Sequence, residues 1–145
     1  MPGTYVLFLE RATSGAITVG ALGTHTFGAG WYAYVGSAFG PGGFARVERH
    51  RRSAAGGTDP HWHIDFLLGD SGTRLDSVVA AETDAECAVS RALPEGPVPG
   101  FGASDCSCST HLAVAPERGP LLDAAGDALR ASLREDRERA DGADE

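Results

Sequence analysis

Short apolar runs, separated by glycine-rich and polar segments, recur along the chain and predict β-strands. Residues 5–9 are apolar at every position, which is typical of a strand buried on both faces. Residues 16–19 alternate better between apolar and polar, so we expect this strand to pair with the first across a turn at residues 13–15. Three later runs predict further strands, the last at a sheet edge: residues 31–35, 75–81 and 112–115.

Helical periodicity and capping signals occur between these strands. Asp59 and Pro60 fit the N-cap and first turn of a helix. Thr83, followed by Glu86 at the third position, fits a capping box. The charged residues 134–145 are expected to be disordered. Helices are predicted over residues 44–53, 61–68, from Thr83 to about residue 93, and over residues 121–133.

These elements predict an α/β (α+β) fold, with a small, mainly antiparallel central sheet flanked by helices. The sheet is expected to contain the strands of Tyr5, Ile17, Tyr34 and Val78. A chain of 145 residues suits one compact domain. We place this domain in residues 1–115, and we assign residues 116–145 to a C-terminal helix and an acidic tail.

Charge is distributed unevenly along the chain. The formal net charge is -8, and every basic residue other than His is Arg. This composition fits a halophilic protein with an acidic surface, or drift in a GC-rich genome, and both interpretations stay open. Residues 46–52 form a local basic cluster: they contain Arg46, Arg49, Arg51 and Arg52, and their single acidic residue is Glu48. Such a helix can bind a phosphate backbone, or it can be a solvated arginine-rich surface.

The sequence also indicates where in the cell the protein is expected. No apolar run approaches the roughly 20 residues of a membrane-spanning helix, and no segment has the pattern of a signal peptide. The three cysteines are an odd number, which rules out a complete disulfide framework and favours a reducing compartment. We therefore expect a cytoplasmic protein with no membrane partner.

Several side chains suit phosphodiester hydrolysis. Tyr5 and Tyr34 lie on predicted strands, while Arg46 and His50 share a helix face because they are one turn apart. Hydrolysis needs a water nucleophile, a proton acceptor, positive charge near the phosphate and help for the leaving oxygen. Glu86 is a carboxylate that can hold a divalent cation. The alternatives are that the tyrosines are ordinary sheet aromatics, that Glu86 only completes a helix cap, and that the cation and imidazole form a surface ion-pair network.

The two tyrosines belong to motifs that resemble those of the GIY-YIG nuclease family. Gly3-Thr4-Tyr5 stands in place of Gly-Ile-Tyr, and Tyr34-Val35-Gly36 stands in place of Tyr-Ile-Gly. The stretch between the motifs is longer than in the smallest family members, which implies an extra hairpin within residues 21–30.

A larger set of sequence motifs is similar to those of one sub-branch of this family, a largely archaeal group rich in Cys and His. That group was first catalogued as a domain of unknown function, and its members also occur fused to DNA-repair enzymes. The motifs are Tyr-Val-Gly-Ser-Ala from Tyr34, Arg49-His50, His61-Trp62-His63-Ile64-Asp65, and Ser104-Asp105-Cys106-Ser107-Cys108 with His111.

The resemblance implies a role for each candidate residue. Tyr5 would accept the proton of the attacking water or orient it, with the charge of Arg46 favouring its phenolate. Arg46 would also grip the scissile phosphate, and Tyr34 would hydrogen-bond a phosphate oxygen or the water. His50 would assist proton transfer, and Glu86 would bind Mg²⁺ or Mn²⁺. The expected substrate-binding residues are Gly36, Ser37, Arg49, His61 and His63.

The resemblance thus implies a divalent-metal-dependent DNA endonuclease with a repair or recombination role. Its small surface favours recognition of DNA structure, such as single-stranded or branched DNA, or help from a DNA-repair protein. The alternative is a zinc-stabilised module that binds nucleic acid or protein without catalysis. Its Zn²⁺ site would consist of Cys87, Cys106, Cys108 and His111; the other interpretation is that these are small buried residues that pack a tight turn.

Overall fold

The computed structural model describes residues 3–38, 45–55, 63–94, 96, 98–101 and 110–143. The fold is α+β, as expected, with a four-stranded antiparallel sheet and a separate two-stranded sheet. In chain order, the described elements are β1 (Thr4–Arg11), β2 (Gly15–Thr18), a 3-10 helix (Gly20–Leu22), β3 (Thr24–Phe27), β4 (Gly30–Ser37), α1 (Ala45–Ala54), α2 (His63–Leu68), β5 (Thr73–Ala81), α3 (Glu86–Ala92), β6 (Leu112–Ala115) and α4 (Arg118–Ala143).

β1 lies in the interior of the main sheet, whose strand order is β5-β1-β4-β6. Its residues pair with β4 on one side and with β5 on the other. Val6, Leu7 and Phe8 are fully buried, so both faces of the strand are covered. The run of apolar residues had predicted this burial, because a strand covered on both faces has no polar side to alternate with.

One face of the main sheet is covered by α1, α2 and the β2–β3 hairpin. Tyr5, Leu7 and Leu9 project from β1 into this layer, because alternate residues of a strand share a face. The buried residues that meet them from the covering layer include Ile17, Phe27, Ile64, Leu67 and Leu68. Burial of each large apolar side chain contributes about 1.5–3 kcal/mol to the hydrophobic driving force.

The opposite face is covered by α3 and α4. Val6 and Phe8 project into this second core, where they meet Val89 of α3. The α4 residues in the core are Leu121, Ala125 and Leu129, which recur every four residues and form one stripe along the helix. The main sheet is therefore the middle of three layers.

β2 does not pair with β1 as predicted. It pairs with β3 across the 3-10 helix, and so the strand of Ile17 is not part of the main sheet. Both edges of β1 are occupied by the longer strands β4 and β5. β2 offers only four residues, of which Ile17 alone is buried. The hairpin expected within residues 21–30 is therefore shifted, because only its second strand, β3, lies in that range, whereas β6 takes the predicted edge position.

The predicted cap of α3 is also wrong. The helix begins at Glu86, its N-cap is Ala85, and no side chain caps it. Thr83 instead lies in hydrogen-bonding contact with Ser132 and Asp136 of α4. The reason is tertiary: α4 passes close to the β5–α3 connection and offers Thr83 polar partners that are distant in sequence.

α4 continues well beyond the predicted end at residue 133. The helix extends to Ala143, so the prediction of disorder is wrong for residues 134–143. Ion pairs between Asp127 and Arg130 and between Asp136 and Arg139 lie one turn apart on its surface. Such pairs support a helix, because side chains three apart are neighbours.

Some predicted features lie outside the described residues: the helix start at residue 44, the cap at Asp59 and Pro60, and the motif from Ser104 to Cys108. In the part of the chain that is described, no helix has both the length and the apolar character that crossing a membrane requires.

Thr4 generates a test of this architecture. Its fully buried hydroxyl donates to the carbonyl oxygen of Thr83 at 2.7 Å and accepts from the N–H of Ala85 at 2.9 Å. Thr4→Val keeps the shape but leaves both backbone groups unpaired, so the free energy of unfolding should fall by about 1–3 kcal/mol. Urea denaturation followed by circular dichroism measures this change.

Thr18→Val is the matched control. The Thr18 hydroxyl is bonded to that of Thr24 on the exposed side of the hairpin, so its loss should change stability by less than about 0.5 kcal/mol. Equal destabilisation by the two variants would contradict a specific role for the buried hydroxyl.

Candidate active site

The candidate site lies at the end of the main sheet where β1 begins and β4 ends. The antiparallel register places Tyr5 directly opposite Gly36 and places Thr4 opposite Ser37. The two tyrosine-containing motifs are therefore adjacent, although about 30 residues of chain separate them. β5 ends and β6 begins near this same end of the sheet, since β5 runs antiparallel to β1 and β6 runs antiparallel to β4.

Gly36 makes room for the ring of Tyr5. A Cβ atom at position 36 would stand 2.3 Å from Cζ of Tyr5 and 2.4 Å from its hydroxyl oxygen. No side chain fits at that distance, so glycine lets the phenol lie across β4. Gly36, predicted as a substrate-binding residue, thus has a demonstrable packing function.

The hydroxyl of Tyr5 is hydrogen-bonded to Nε2 of His50 at 2.7 Å. His50 belongs to α1 and is only 3% exposed, and Tyr5 is only 2% exposed. The ring of Tyr34 meets the imidazole edge-on, with 6.2 Å between the ring centroids. The structure therefore brings together three residues that the sequence had assigned to one site.

Arg46 lies one helical turn before His50 and also reaches this end of the sheet. Its Nη1 donates to the carbonyl oxygen of Ser37 at 3.0 Å. This bond joins α1 to the end of β4 and holds the guanidinium near both tyrosines, where its charge lowers the pKa of each phenol.

Burial outweighs that charge. Loss of hydration raises the pKa of Tyr5 and of Tyr34 above the ordinary value, and the negative charges of Glu86 and Asp65 act in the same direction. Arg46 therefore favours the phenolate of Tyr5, as expected, but does not produce it. In this state Tyr5 is a neutral phenol that can donate its proton to His50.

Glu86 is the first residue of α3 and approaches the site from the other layer. Its Oε1 lies 3.6 Å from Nδ1 of His111, and its side chain is 23% exposed. His111 is buried, which lowers the pKa of its imidazole and favours the neutral form. A partly exposed carboxylate beside a neutral imidazole is accessible to a cation.

Asp65 is a site residue that the sequence reasoning missed. It lies on α2, is 1% exposed, and accepts hydrogen bonds from Nη2 of Arg49 at 3.2 Å and from Oγ of Ser53 at 3.4 Å. Arg49, predicted to contact substrate, is thus paired with a buried carboxylate. The available signal was an acidic residue one turn before the buried Leu68, on the apolar face of a short helix.

The remaining predicted residues fall into two groups. His63 packs its ring against Phe101 at 5.7 Å, and burial lowers the pKa of its imidazole. Cys87 follows Glu86 on α3 and is partly buried. His61, Cys106 and Cys108 lie outside the described residues.

Glu86, the predicted metal ligand, lies within the described residues. Within those ranges, no three His, Cys, Asp or Glu side chains are grouped as a metal-enclosing site requires. Glu86 fits a different arrangement, because Mg²⁺ keeps several water ligands and is often held by one or two carboxylates.

A family profile described as "Domain of unknown function DUF123" matches residues 4–133 of the chain. The chain belongs to the DUF123 family. Comparisons with curated proteins and with solved structures find no match. The expected membership of a family catalogued as a domain of unknown function is confirmed, whereas the GIY-YIG relationship stays a proposal. The matched part of this DUF123 chain begins in β1, ends within α4, and spans Tyr5, His50, Asp65 and Glu86.

The contact between Gly36 and Tyr5 can be tested by substitution. Gly36→Ala should displace the phenol, break its bond to His50 and lower the free energy of unfolding by about 1–3 kcal/mol, because the added methyl group overlaps the ring. Urea denaturation measures the stability, and the NMR signals of the His50 ring report the bond.

Gly28→Ala is the control, since a Cβ atom there meets nothing within 4 Å. A Gly36→Ala protein with the stability and His50 signals of the control would show that the ring does not depend on this glycine.

The tyrosine pKa values predict behaviour at alkaline pH. All three tyrosines of this DUF123 chain have raised pKa values, chiefly because of burial. Folding therefore favours the neutral phenols. This contribution is fully present below the unfolded pKa of 10.0 and is lost as pH rises through and above that value.

We expect the ultraviolet absorbance of tyrosinate to appear at clearly higher pH in the folded protein than in urea. The urea-unfolded chain should titrate near pH 10.0. Coincident titration curves for the two states would contradict burial of the phenols.

Proposed function

We propose that this DUF123 protein is a divalent-metal-dependent DNA endonuclease of the GIY-YIG type. The observation that carries the proposal is the hydrogen bond between Tyr5 and His50, with Arg46 and Glu86 close to the same end of the sheet. These four residues offer a proton acceptor for water, a proton relay, a phosphate-binding cation and a metal ligand.

The pairing of the two motifs supports the GIY-YIG relationship. Tyr5 and Gly36 come from different motifs, yet they lie opposite each other, and the phenol of one occupies the space left by the other. This contact gives a physical reason for a tyrosine at the end of one motif and a glycine at the end of the other.

The chemistry begins with a neutral Tyr5. Its hydroxyl can give its proton to Nε2 of His50 while it takes a proton from water, and the water oxygen then attacks phosphorus. This exchange avoids a free phenolate, which burial disfavours. Arg46 would bind a non-bridging phosphate oxygen and stabilise the charge that develops there.

Glu86 is the residue that would hold Mg²⁺ or Mn²⁺. A bound divalent cation supplies positive charge to the phosphate and to the leaving oxygen. The carboxylate is partly exposed, so water can complete the coordination.

DNA fits the local charge of α1 better than the net charge of the chain. Arg51 and Arg52 are exposed at the end of this helix, one and two residues after His50. Their charges can contact phosphates that flank the cleaved bond. The small basic surface favours recognition of DNA structure, such as single-stranded or branched DNA. The resemblance to GIY-YIG nucleases implies a role in repair or recombination, with a DNA-repair protein as partner.

The zinc-stabilised binding module is the second candidate. Its support is His111. The neutral imidazole of His111 is the form that binds zinc, and this residue lies beside Glu86, which directly precedes Cys87. Cys106 and Cys108 would complete the site and lie outside the described residues. In this case the purified protein would carry about one equivalent of zinc and would unfold on chelation.

A cleavage assay tests the nuclease proposal. Labelled single-stranded, duplex, flap and branched DNA should be offered at low and molar KCl, with Mn²⁺, Mg²⁺ or EDTA. We expect metal-dependent cutting that falls by about 100-fold or more in Glu86→Gln, because the variant loses the charge that holds the cation.

Glu82→Gln provides the control, since it makes the same chemical change at an exposed position just before α3. It should cut as the unmodified protein does. Failure of the folded protein to cut any of these DNAs would reject the endonuclease, and zinc content would then decide on the binding module.

A further inference from the structure

His50 lies between a phenol and a carboxylate. Its Nε2 is 2.7 Å from the Tyr5 hydroxyl, and its Nδ1 is 3.8 Å from Oδ1 of Asp65. Nδ1 is buried and has no hydrogen-bond partner among the described residues. A distance of 3.8 Å is too long for a hydrogen bond, but a small movement of either side chain would form one.

The carboxylate of Asp65 is held in place from two other directions. Arg49 donates to Oδ2, and Ser53 donates to Oδ1, the oxygen nearest His50. Arg49, His50 and Ser53 all belong to α1, so Asp65 joins α2 to the helix that carries the imidazole. Its side chain has no exposed surface. A buried carboxylate in this setting attracts a proton on the facing ring nitrogen.

We propose that Asp65 is a positioning residue that keeps His50 in the tautomer protonated at Nδ1, so that Nε2 accepts the Tyr5 hydroxyl proton. A neutral imidazole carries one N–H, and the hydrogen bond of the other nitrogen decides which one carries it. With the proton on Nε2 instead, His50 would donate to Tyr5 and could not take its proton.

The assignment deepens the proposed nuclease function and rests on it for its consequence in the reaction. As the water oxygen forms its bond to phosphorus, the water proton passes to the Tyr5 oxygen and the Tyr5 proton passes to Nε2. The leaving oxygen departs with the electron pair of its bond to phosphorus. The imidazolium that results faces the carboxylate of Asp65, and it later returns its proton to solvent or to the leaving oxygen.

Asp65→Asn separates this role from a structural one. The guanidinium of Arg49 only donates, so the single oxygen of the new amide is expected to face Arg49. The NH₂ group then faces His50 and donates to Nδ1, which moves the imidazole proton to Nε2.

Asp70→Asn is the matched control. Asp70 follows α2 and is paired with Arg11 at 2.8 Å, so this variant also loses an arginine–carboxylate pair. The carboxylate of Asp70 accepts hydrogen bonds from Arg11 and from the N–H of Gly72, and neither of these residues belongs to α1. The control should therefore lose stability while it keeps the tautomer of the unmodified protein.

Long-range ¹H–¹⁵N NMR correlations identify the tautomer, with the ring signals of position 50 assigned by their absence in His50→Asn. We expect Nδ1–H in the unmodified protein and in Asp70→Asn, and Nε2–H in Asp65→Asn. In the cleavage assay, kcat of Asp65→Asn should fall by about 100-fold, while KM for DNA stays nearly constant.

Nε2–H in the unmodified protein would overturn the assignment. Retention of Nδ1–H in Asp65→Asn, or an unchanged kcat in a protein whose tautomer had inverted, would do so as well. Absence of cleavage by the unmodified protein would reject the nuclease function, but the tautomer comparison would still decide what Asp65 does to His50.

Discussion

β1 is the constraint on which the rest of the structure depends. It is paired with β4 and β5 along its two edges, and its two faces are covered by the two helical layers. Because both edges are occupied, the four-residue strand β2 must find another partner, and the β2–β3 hairpin becomes part of the covering layer. The same strand begins at Thr4 and Tyr5, so the candidate site is attached to the most buried element of the protein.

The polar groups at that end of the sheet form connected pairs. Thr4 satisfies backbone groups of the β5–α3 connection, and Tyr5 is bonded to His50. Asp65 bonds Arg49 and Ser53 of the helix that carries His50. Since a buried polar group without a partner is costly, each contact restricts the position of the next. The proposed chemistry would thus occur among residues whose hydrogen bonds join both helical layers to the sheet.

Charge is arranged to local effect in a chain whose net charge is -8. Several arginines are neutralised within the fold: Arg11 by Asp70, Arg49 by Asp65, and Arg74 by Glu10 and Asp76. Arg46 instead bonds a backbone carbonyl, which leaves its positive charge beside the phenols. Positive charge can therefore stand beside the phenols of an acidic protein, although Glu86 and Asp65 add negative charge to the same site.

The sequence by itself determined the α+β class, the strand of Tyr5 as a strand buried on both faces, the later strands, and the helical turn that places Arg46 beside His50. These features follow from local periodicity, which the chain carries in each short segment. Tertiary structure alone decided that β2 pairs with β3 and that Thr83 bonds α4 and caps no helix. It also placed Asp65 beside His50, because a contact between two helices depends on how both pack against the sheet, and no short segment contains that information.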